Sequence, residues 1–161
     1  MNYTLYLTQV SDGRETVFSY TLHNFEGQKA AGTFVVLGKR RNDMSYCGHI
    51  ALQRALRSVA KIEGVISLKV IVDHPLLQPV VFETMGIDEP LHLVLCQTTN
   101  RMLKRFASHE LASADFSGDD ATWQEVSTLD NALDSLEQNK MVKGRWQIVR
   151  DLFFNSQKII R

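Results

Sequence analysis

The dipeptide Asp12-Gly13 constrains this chain more than any other feature. It lies between residues 3–10, YTLYLTQV, and residues 15–23, ETVFSYTLH, both alternating and rich in β-forming side chains. An Asp-Gly pair supplies the positive-φ residues of a tight hairpin, so the two segments are expected to pair antiparallel. A second turn at residues 25–28, FEGQ, leads into residues 30–37, AAGTFVVL. The nearly continuous apolar character of that third segment points to a central strand. The chain therefore opens as a three-strand antiparallel meander.

A helix follows. Asn42 or Asp43 is placed to cap it, because a short side-chain oxygen accepts from the free amides of a first turn. Gly48, Ala51, Leu52, Ala55, Leu56, Val59 and Ile62 recur at intervals of three and four, with Gln53, Arg54, Arg57 and Lys61 on the other side. Gly64 is the expected terminator. Residues 67–72, SLKVIV, then form a strand that arrives by a helical crossover and so runs parallel to a strand of the meander. Asp73 closes it. Pro79 forbids one unbroken helix beyond, leaving a turn and a short helix over about residues 78–85 that stops at Gly86. Residues 91–97, LHLVLCQ, read as a further strand, and Thr98 or Thr99 as the cap of a helix holding Met102, Leu103 and Phe106. A polar loop at 114–121 precedes a helix marked by Trp123, Val126, Leu129, Leu133 and Leu136, with an acidic outer face. Residues 144–161 are apolar and basic and fit either helix or extended chain. The expected organisation is a single domain over 1–161, with a core at 1–107 and a helical extension at 108–161.

At 161 residues, 44% of them hydrophobic, the chain can bury a core without a disulfide or metal staple. Its two cysteines, Cys47 and Cys96, lie inside apolar segments with no metal-ligand spacing, which fits buried thiols in a reducing compartment. The first residues have no basic start and only a short apolar stretch, and no run approaches the ~20 apolar residues of a membrane span, so a cytoplasmic location and no membrane partner are expected. Net charge is zero but unevenly placed. Residues 28–69 carry eight Lys/Arg against Asp43 and Glu63, residues 110–139 carry eight Asp/Glu and no Lys or Arg, and residues 140–161 carry six Lys/Arg against Asp151. Such polarity either steers an anionic ligand to one side or lets acidic and basic segments pair, within the fold or across a homo-oligomer.

The order β-β-β-α-β-α-β-α resembles that of the ribonuclease H-like superfamily, an α/β fold with helices flanking a mixed sheet, in which a three-strand antiparallel meander is continued by parallel strands. Two motifs add to the resemblance. The stretch NDMSY at Asn42–Tyr46 looks like the family pattern Asn-Glu-x-Glu-Tyr that begins the first helix. VIVDHPLLQPVV looks like the family's fourth strand, with Asp73 at its carboxylate position. The resemblance spans roughly residues 3–97 and implies a metal-dependent nuclease. That chemistry uses two divalent metals about 4 Å apart, here magnesium, held by converging carboxylates. Three departures follow. Ser45 stands where the family has a helix Glu. The first-strand Asp would fall near Thr8-Gln9, and neither is a carboxylate. Asp12 sits in a phrase like the family's first-strand motif but is placed in a turn, and Asp115 matches the late-helix position only loosely. An atypical set of Asp12, Asp73 and Asp115 would serve a nuclease. The reading preferred on these residues is a degenerate, non-catalytic binding or scaffolding module without a resident cofactor, with Asp73 capping the following turn.

Other constellations are weaker. Cys47 and His49 are two apart on a helix, so they point in opposite directions and make no nucleophile pair. Lys39-Arg40-Arg41 at a helix start is the anion-site candidate, and with residues 140–161 it offers basic surface to nucleic acid. Trp146 with Lys143, Arg145 and Arg150 forms a possible basic aromatic patch, although a core tryptophan is the ordinary expectation. Residues 63–87 also resemble part of the GNAT-type acetyltransferases, FETMGI standing for an aromatic-x-x-Gly phrase, which would imply acetyl-CoA. Where that family has a glycine-rich pyrophosphate loop, RRNDMSYCGHIA offers Gly48 alone.

Overall fold

The computed structural model describes residues 1–161, apart from the side chain of Val142. The hairpin turn forms at Asp12-Gly13: Gly13 has φ 88°, and the Asp12 carboxylate accepts from the amides of Arg14 and Glu15 at 2.9 Å. It joins β1 (Asn2–Ser11) to β2 (Thr16–Asn24), antiparallel from Thr4 opposite His23 to Ser11 opposite Thr16. β3 (Gly27–Val36) continues the meander against β2. β4 (Ser67–Asp73) lies parallel to β1, β5 (Ser108–Ala114) parallel to β4, and β6 (Ile159–Ile160) parallel to β3. The sheet order is β5-β4-β1-β2-β3-β6.

Helices cover both faces. α1 (Met44–Ala60) packs its Cys47, Ala51, Leu52, Ala55, Leu56 and Val59 on the face built from Leu5, Leu7, Phe18, Leu22, Leu68, Val70 and Val72. Helical turns at His74–Leu76 and Leu77–Phe82 and α2 (Glu83–Met85) lead toward α3 (Leu93–Leu103), which lies beside α1. α4 (Trp123–Gln138) covers the opposite face, where Ala132 and Leu136 meet Val17 and Val35. Thr122 and Glu125 cap α4 reciprocally, each side chain meeting the other's amide. With helices on both sides, all of Thr16–His23 is buried, although polar and apolar side chains alternate there. α5 (Val142–Phe154) closes the chain ahead of β6. No helix is long and apolar enough to cross a membrane.

Several expectations change. β3 is not central; only Val35 and Val36 of its outer edge are paired, by β6, and its N-terminal half is largely exposed. Residues 91–97 are not a strand. Their apolar run belongs to α3, whose buried positions Cys96, Thr99 and Leu103 keep a helical period that a seven-residue window cannot distinguish from a strand. Accordingly Thr99 lies inside that helix rather than at its cap. The strand that does follow, β5, lies in the expected extension 108–161, and so does β6. SHELASA has no apolar run because it is an edge strand, held by backbone pairing to β4 on one side. α1 ends at Ala60, before Gly64, which takes φ 103° in the connection to β4. The fold also removes the acetyltransferase reading. FETMGI is the end of a helical turn closed by Gly86, and Gly48 lies buried inside α1 rather than in a loop.

Gly48 has a packing role instead. A Cβ there would lie 2.6 Å from Val80 Cγ2, so the absence of a side chain lets α1 approach the Leu77–Phe82 turn. Gly48→Ala should therefore destabilise the protein by roughly 1–3 kcal/mol, in spite of alanine's ~1 kcal/mol advantage in a helix. Val80→Ala makes room, so Gly48→Ala should cost less in that background. Urea unfolding of the four proteins measures the coupling, and additivity would refute the contact.

Candidate functional site

The three aspartates of the sequence reading form no three-carboxylate group among the described residues: Asp12 lies in the hairpin turn, whereas Asp115 follows Ala114, the register partner of Asp73. Asp73, at the end of β4, is 5% exposed and each of its oxygens is engaged. Oδ2 accepts from the Thr8 hydroxyl at 2.5 Å, and Oδ1 accepts from the amides of His74 at 2.8 Å and Phe116 at 3.0 Å. The capping role expected of Asp73 is present, and β1 and the turn after β5 add further donors. Asp12 lies in the β1–β2 turn, four residues beyond Thr8, or about 13 Å of extended strand. Its carboxylate is pulled down to about 2 chiefly by the amides of Glu15 and Arg14, with Lys140 adding its charge from 3.3 Å. Asp115 follows β5 and does not lie on a late helix. Its carboxylate accepts from the amide and hydroxyl of Ser117 within its own turn. Among the described residues no three His, Cys, Asp or Glu side chains are grouped as metal ligands would be.

Ser45 faces away from this junction and into a buried polar network that sequence reading missed. Its hydroxyl donates to Glu83 Oε2 at 2.6 Å. His49 Nε2 lies 3.2 Å from the same oxygen, and its Nδ1 lies 3.0 Å from Thr99 Oγ1. Gln53, expected on the solvent side of the helix, is buried and donates to Thr99 Oγ1 at 3.2 Å and to the Leu95 carbonyl at 3.0 Å. The legible signal was the spacing of Ser45, His49 and Gln53, four residues apart on one helix face. This is not a hydrolase triad: serine and histidine both meet the same carboxylate oxygen, and no base stands on the serine. Burial pushes the His49 ring down from its ordinary value, and the adjacent Glu83 opposes that only in part. Cys47 donates to the Arg40 carbonyl on another face of α1, and burial followed by the nearby Asp43 pushes its thiol up to about 12. Both cysteines are free and buried.

The basic triplet is dispersed. Arg41 reaches the β1–β2 turn, donating to the Arg14 carbonyl at 2.9 Å. Arg40 lies 4.1 Å over the Tyr46 ring and 3.5 Å from Asp43. Lys39 borders an open cleft of about 570 Å³ with Asn42, Asp43, Ser45, Pro79 and Leu91. The α1 N-terminus is not bare, because Asp43 caps the Tyr46 amide at 3.0 Å and meets His92 Nε2 at 2.8 Å. Basic residues nevertheless gather at this end of the sheet. Arg14, Lys140 and Arg145 line a second cleft with Asp12 and Glu15, and the Arg161 carbonyl accepts from the Tyr46 hydroxyl at 3.1 Å. The carboxyl ends of β1, β3 and β4 point here, the end at which open α/β sheets bind ligands. Trp146 is not a core residue: it is 66% exposed on α5.

No protein-family model and no curated protein matches this sequence. Solved structures do match in shape. The ribonuclease H1 of Halobacterium salinarum superposes with a TM-score of 0.59 at 18% identity, covering 82% of this chain and all of that one. The N-terminal RNase H domain of a Mycobacterium tuberculosis protein gives 0.61 at 17% identity, over 83% of this chain and 98% of that one. A ribonuclease H1 solved with an RNA/DNA hybrid gives 0.52 at 12% identity, over 81% and 99%. The fold of this chain is thus ribonuclease H-like, with the meander and the parallel strands in the order that the sequence resemblance implied.

Two tests follow from the buried polar groups. Asp73→Asn keeps one acceptor oxygen but turns an amide toward a donor, so it should cost about 1–3 kcal/mol in urea unfolding. A loss below ~0.5 kcal/mol would show that the three bonds matter little. Burial lowers both His49 and His23 from 6.5. A base with a lowered folded pKa takes its proton more readily in the unfolded chain, so stability is complete above about pH 6.5 and declines as pH falls below it. The urea midpoint should fall between pH 7 and pH 5, and His23→Phe should flatten that slope.

Proposed function

We propose that this chain is a non-catalytic module of ribonuclease H-like fold that binds a nucleic-acid backbone along the basic end of its sheet. The observation that carries the reading is the engagement of Asp73. A carboxylate that would ligate metal in a nuclease here accepts from Thr8, His74 and Phe116, and is almost wholly buried. Thr8 and Ser45 bring neutral hydroxyls, donated to carboxylates, where two-metal chemistry needs hard anionic ligands. A pair of magnesium ions does not fit this donor set.

Binding rests on a separate argument. Arg14, Lys39, Arg40, Arg41, Lys140, Arg145 and Arg161 collect where the strands end, against Glu15 and the ion-paired Asp12 and Asp43. Phosphate contacts of this kind are electrostatic and sequence-independent. The hybrid bound by one structural neighbour supplies the natural probe.

The purified protein should show no cleavage of an RNA–DNA hybrid with Mg²⁺ or Mn²⁺ that Asp73→Ala abolishes. It should bind the hybrid with an affinity that falls as salt rises. Arg14→Ala, Arg41→Ala and Arg145→Ala should each weaken binding across sequences and reduce the salt slope by about 1. Cleavage dependent on Asp73 would overturn the non-catalytic half of the proposal, and binding indifferent to salt would overturn the other.

A further inference from the structure

The C-terminal third carries two helices whose outer surfaces are unpartnered and opposite in charge. On α4 the exposed positions are Trp123, Val126, Asp130, Leu133, Asp134, Glu137 and Gln138, of which Trp123, Val126, Asp130, Leu133 and Glu137 run at helical intervals of three and four with Asp134 beside Leu133. On α5 the exposed positions among the described side chains are Lys143, Arg145, Trp146, Gln147, Val149, Arg150, Phe153 and Phe154, of which Lys143, Trp146, Val149 and Phe153 run at intervals of three and four with Arg150 beside Val149. One stripe interleaves apolar side chains with carboxylates, the other interleaves them with cations.

The exposure is large for a folded surface. Trp146 is 66%, Phe153 75% and Trp123 64% accessible. Single exposed apolar residues are ordinary, but an aromatic stripe along a helix marks a contact surface. α5 in particular has little purchase on the body of the protein: among its described side chains Ile148 and Leu152 reach the cluster formed by Val17, Val35, Ala132, Leu136 and Ile159, and Arg145 borders the cleft beside Asp12, Arg14 and Glu15. The two stripes cannot meet within one chain. The helices follow directly on one another through Asn139, Lys140 and Met141, and both stripes face outward.

We infer that this chain forms a two-fold dimer in which α5 of each copy lies on α4 of the other. The charge pattern selects a second copy as occupant, because each molecule presents the complement of its own surface. A two-fold axis satisfies both stripes at once and leaves no open end, whereas a single head-to-tail contact would propagate. The lengths also match. At 1.5 Å per residue, α4 with 16 residues spans about 24 Å and α5 with 13 residues about 20 Å. Aromatic residues at the centre with charges on the flanks is the usual composition of a protein interface. The basic side chains used here, Lys143 and Arg150, are not among those of the nucleic-acid proposal, although Arg145 of that proposal lies on the same helix, so the charge reversals leave its residues in place.

Sedimentation velocity of the full chain between about 5 and 200 µM should show a monomer–dimer equilibrium. The chain's two tryptophans lie one on each stripe, so their emission should shift to the blue as the dimer forms. The charge-reversed variants Lys143→Glu/Arg150→Glu and Asp130→Lys/Asp134→Lys should each sediment as monomers, with circular dichroism reporting their folding. Mixed one to one, they should form a heterodimer, because both contacts are then complementary again. That recovery is the decisive result, since misfolded variants would not rescue one another. A chain that stays monomeric up to 200 µM would overturn the inference. So would a dimer that neither charge reversal weakens, or a monomer whose α5 stripe is instead covered by hybrid nucleic acid.

Discussion

The carboxylate of Asp73 ties together the strands that define this molecule. It takes a hydroxyl from β1, an amide from the turn after β4 and an amide from the turn after β5. The three parallel neighbours of the sheet are therefore linked through one buried group. An unpaired buried carboxylate would be costly, and three donors remove that cost while fixing where the chain leaves β4 and β5. Phe116 follows from this: its amide is held by Asp73, and its ring lies buried against Tyr6 at 6.2 Å. Both oxygens of the carboxylate at the position that the resemblance assigns to a metal ligand are thus engaged by donors of this chain.

The second polar centre has the same logic on the other face of the sheet. Glu83, Ser45 and His49 would each be unfavourable alone among the leucines and valines around α1. Together, with Thr99 and Gln53, they satisfy one another and link α1 to α2 and α3. Hydrophobic burial holds α1 on the sheet but does not choose its rotation. A network that must be complete to be tolerable does choose it. The helix position that the family resemblance assigns to a carboxylate is thus occupied by a serine whose hydroxyl serves packing.

How much could be read in advance varied with the range of the interaction. The hairpin, the capped α1, the closing of β4 by Asp73, the short helix ended by Gly86 and the amphipathic α4 all depend on neighbours within a turn or two, and their residues announce them. Residues 91–97 read as a strand because a short apolar run has no period of its own; the helical period of α3 rests on the burial of Cys96, Thr99 and Leu103. β5 was missed because an edge strand needs a partner's backbone and little else. Tryptophan is ordinarily a core residue, yet Trp146 is exposed, and among the described side chains of α5 it is Ile148 and Leu152 that pack against the apolar cluster. Within the site, the neutral side chains at Ser45 and Thr8, where the resemblance implies carboxylates, are legible from residue identity. The partners of those hydroxyls were not.

The sequence by itself determined the class of fold and the poverty of its carboxylates. Alternating strands around Asp12-Gly13, a helix after the third strand and a carboxylate at the end of the fourth are local facts, set by backbone propensity and side-chain chemistry. Tertiary structure alone decided what those groups do. Thr8 and Asp73 are 65 residues apart, Ser45 and Glu83 are 38, and Thr21 and Thr128, which join α4 to β2, are 107. Whether a carboxylate is free to hold a metal depends on which donors the folded chain brings to it. That is settled by the packing of distant segments, which no local pattern encodes.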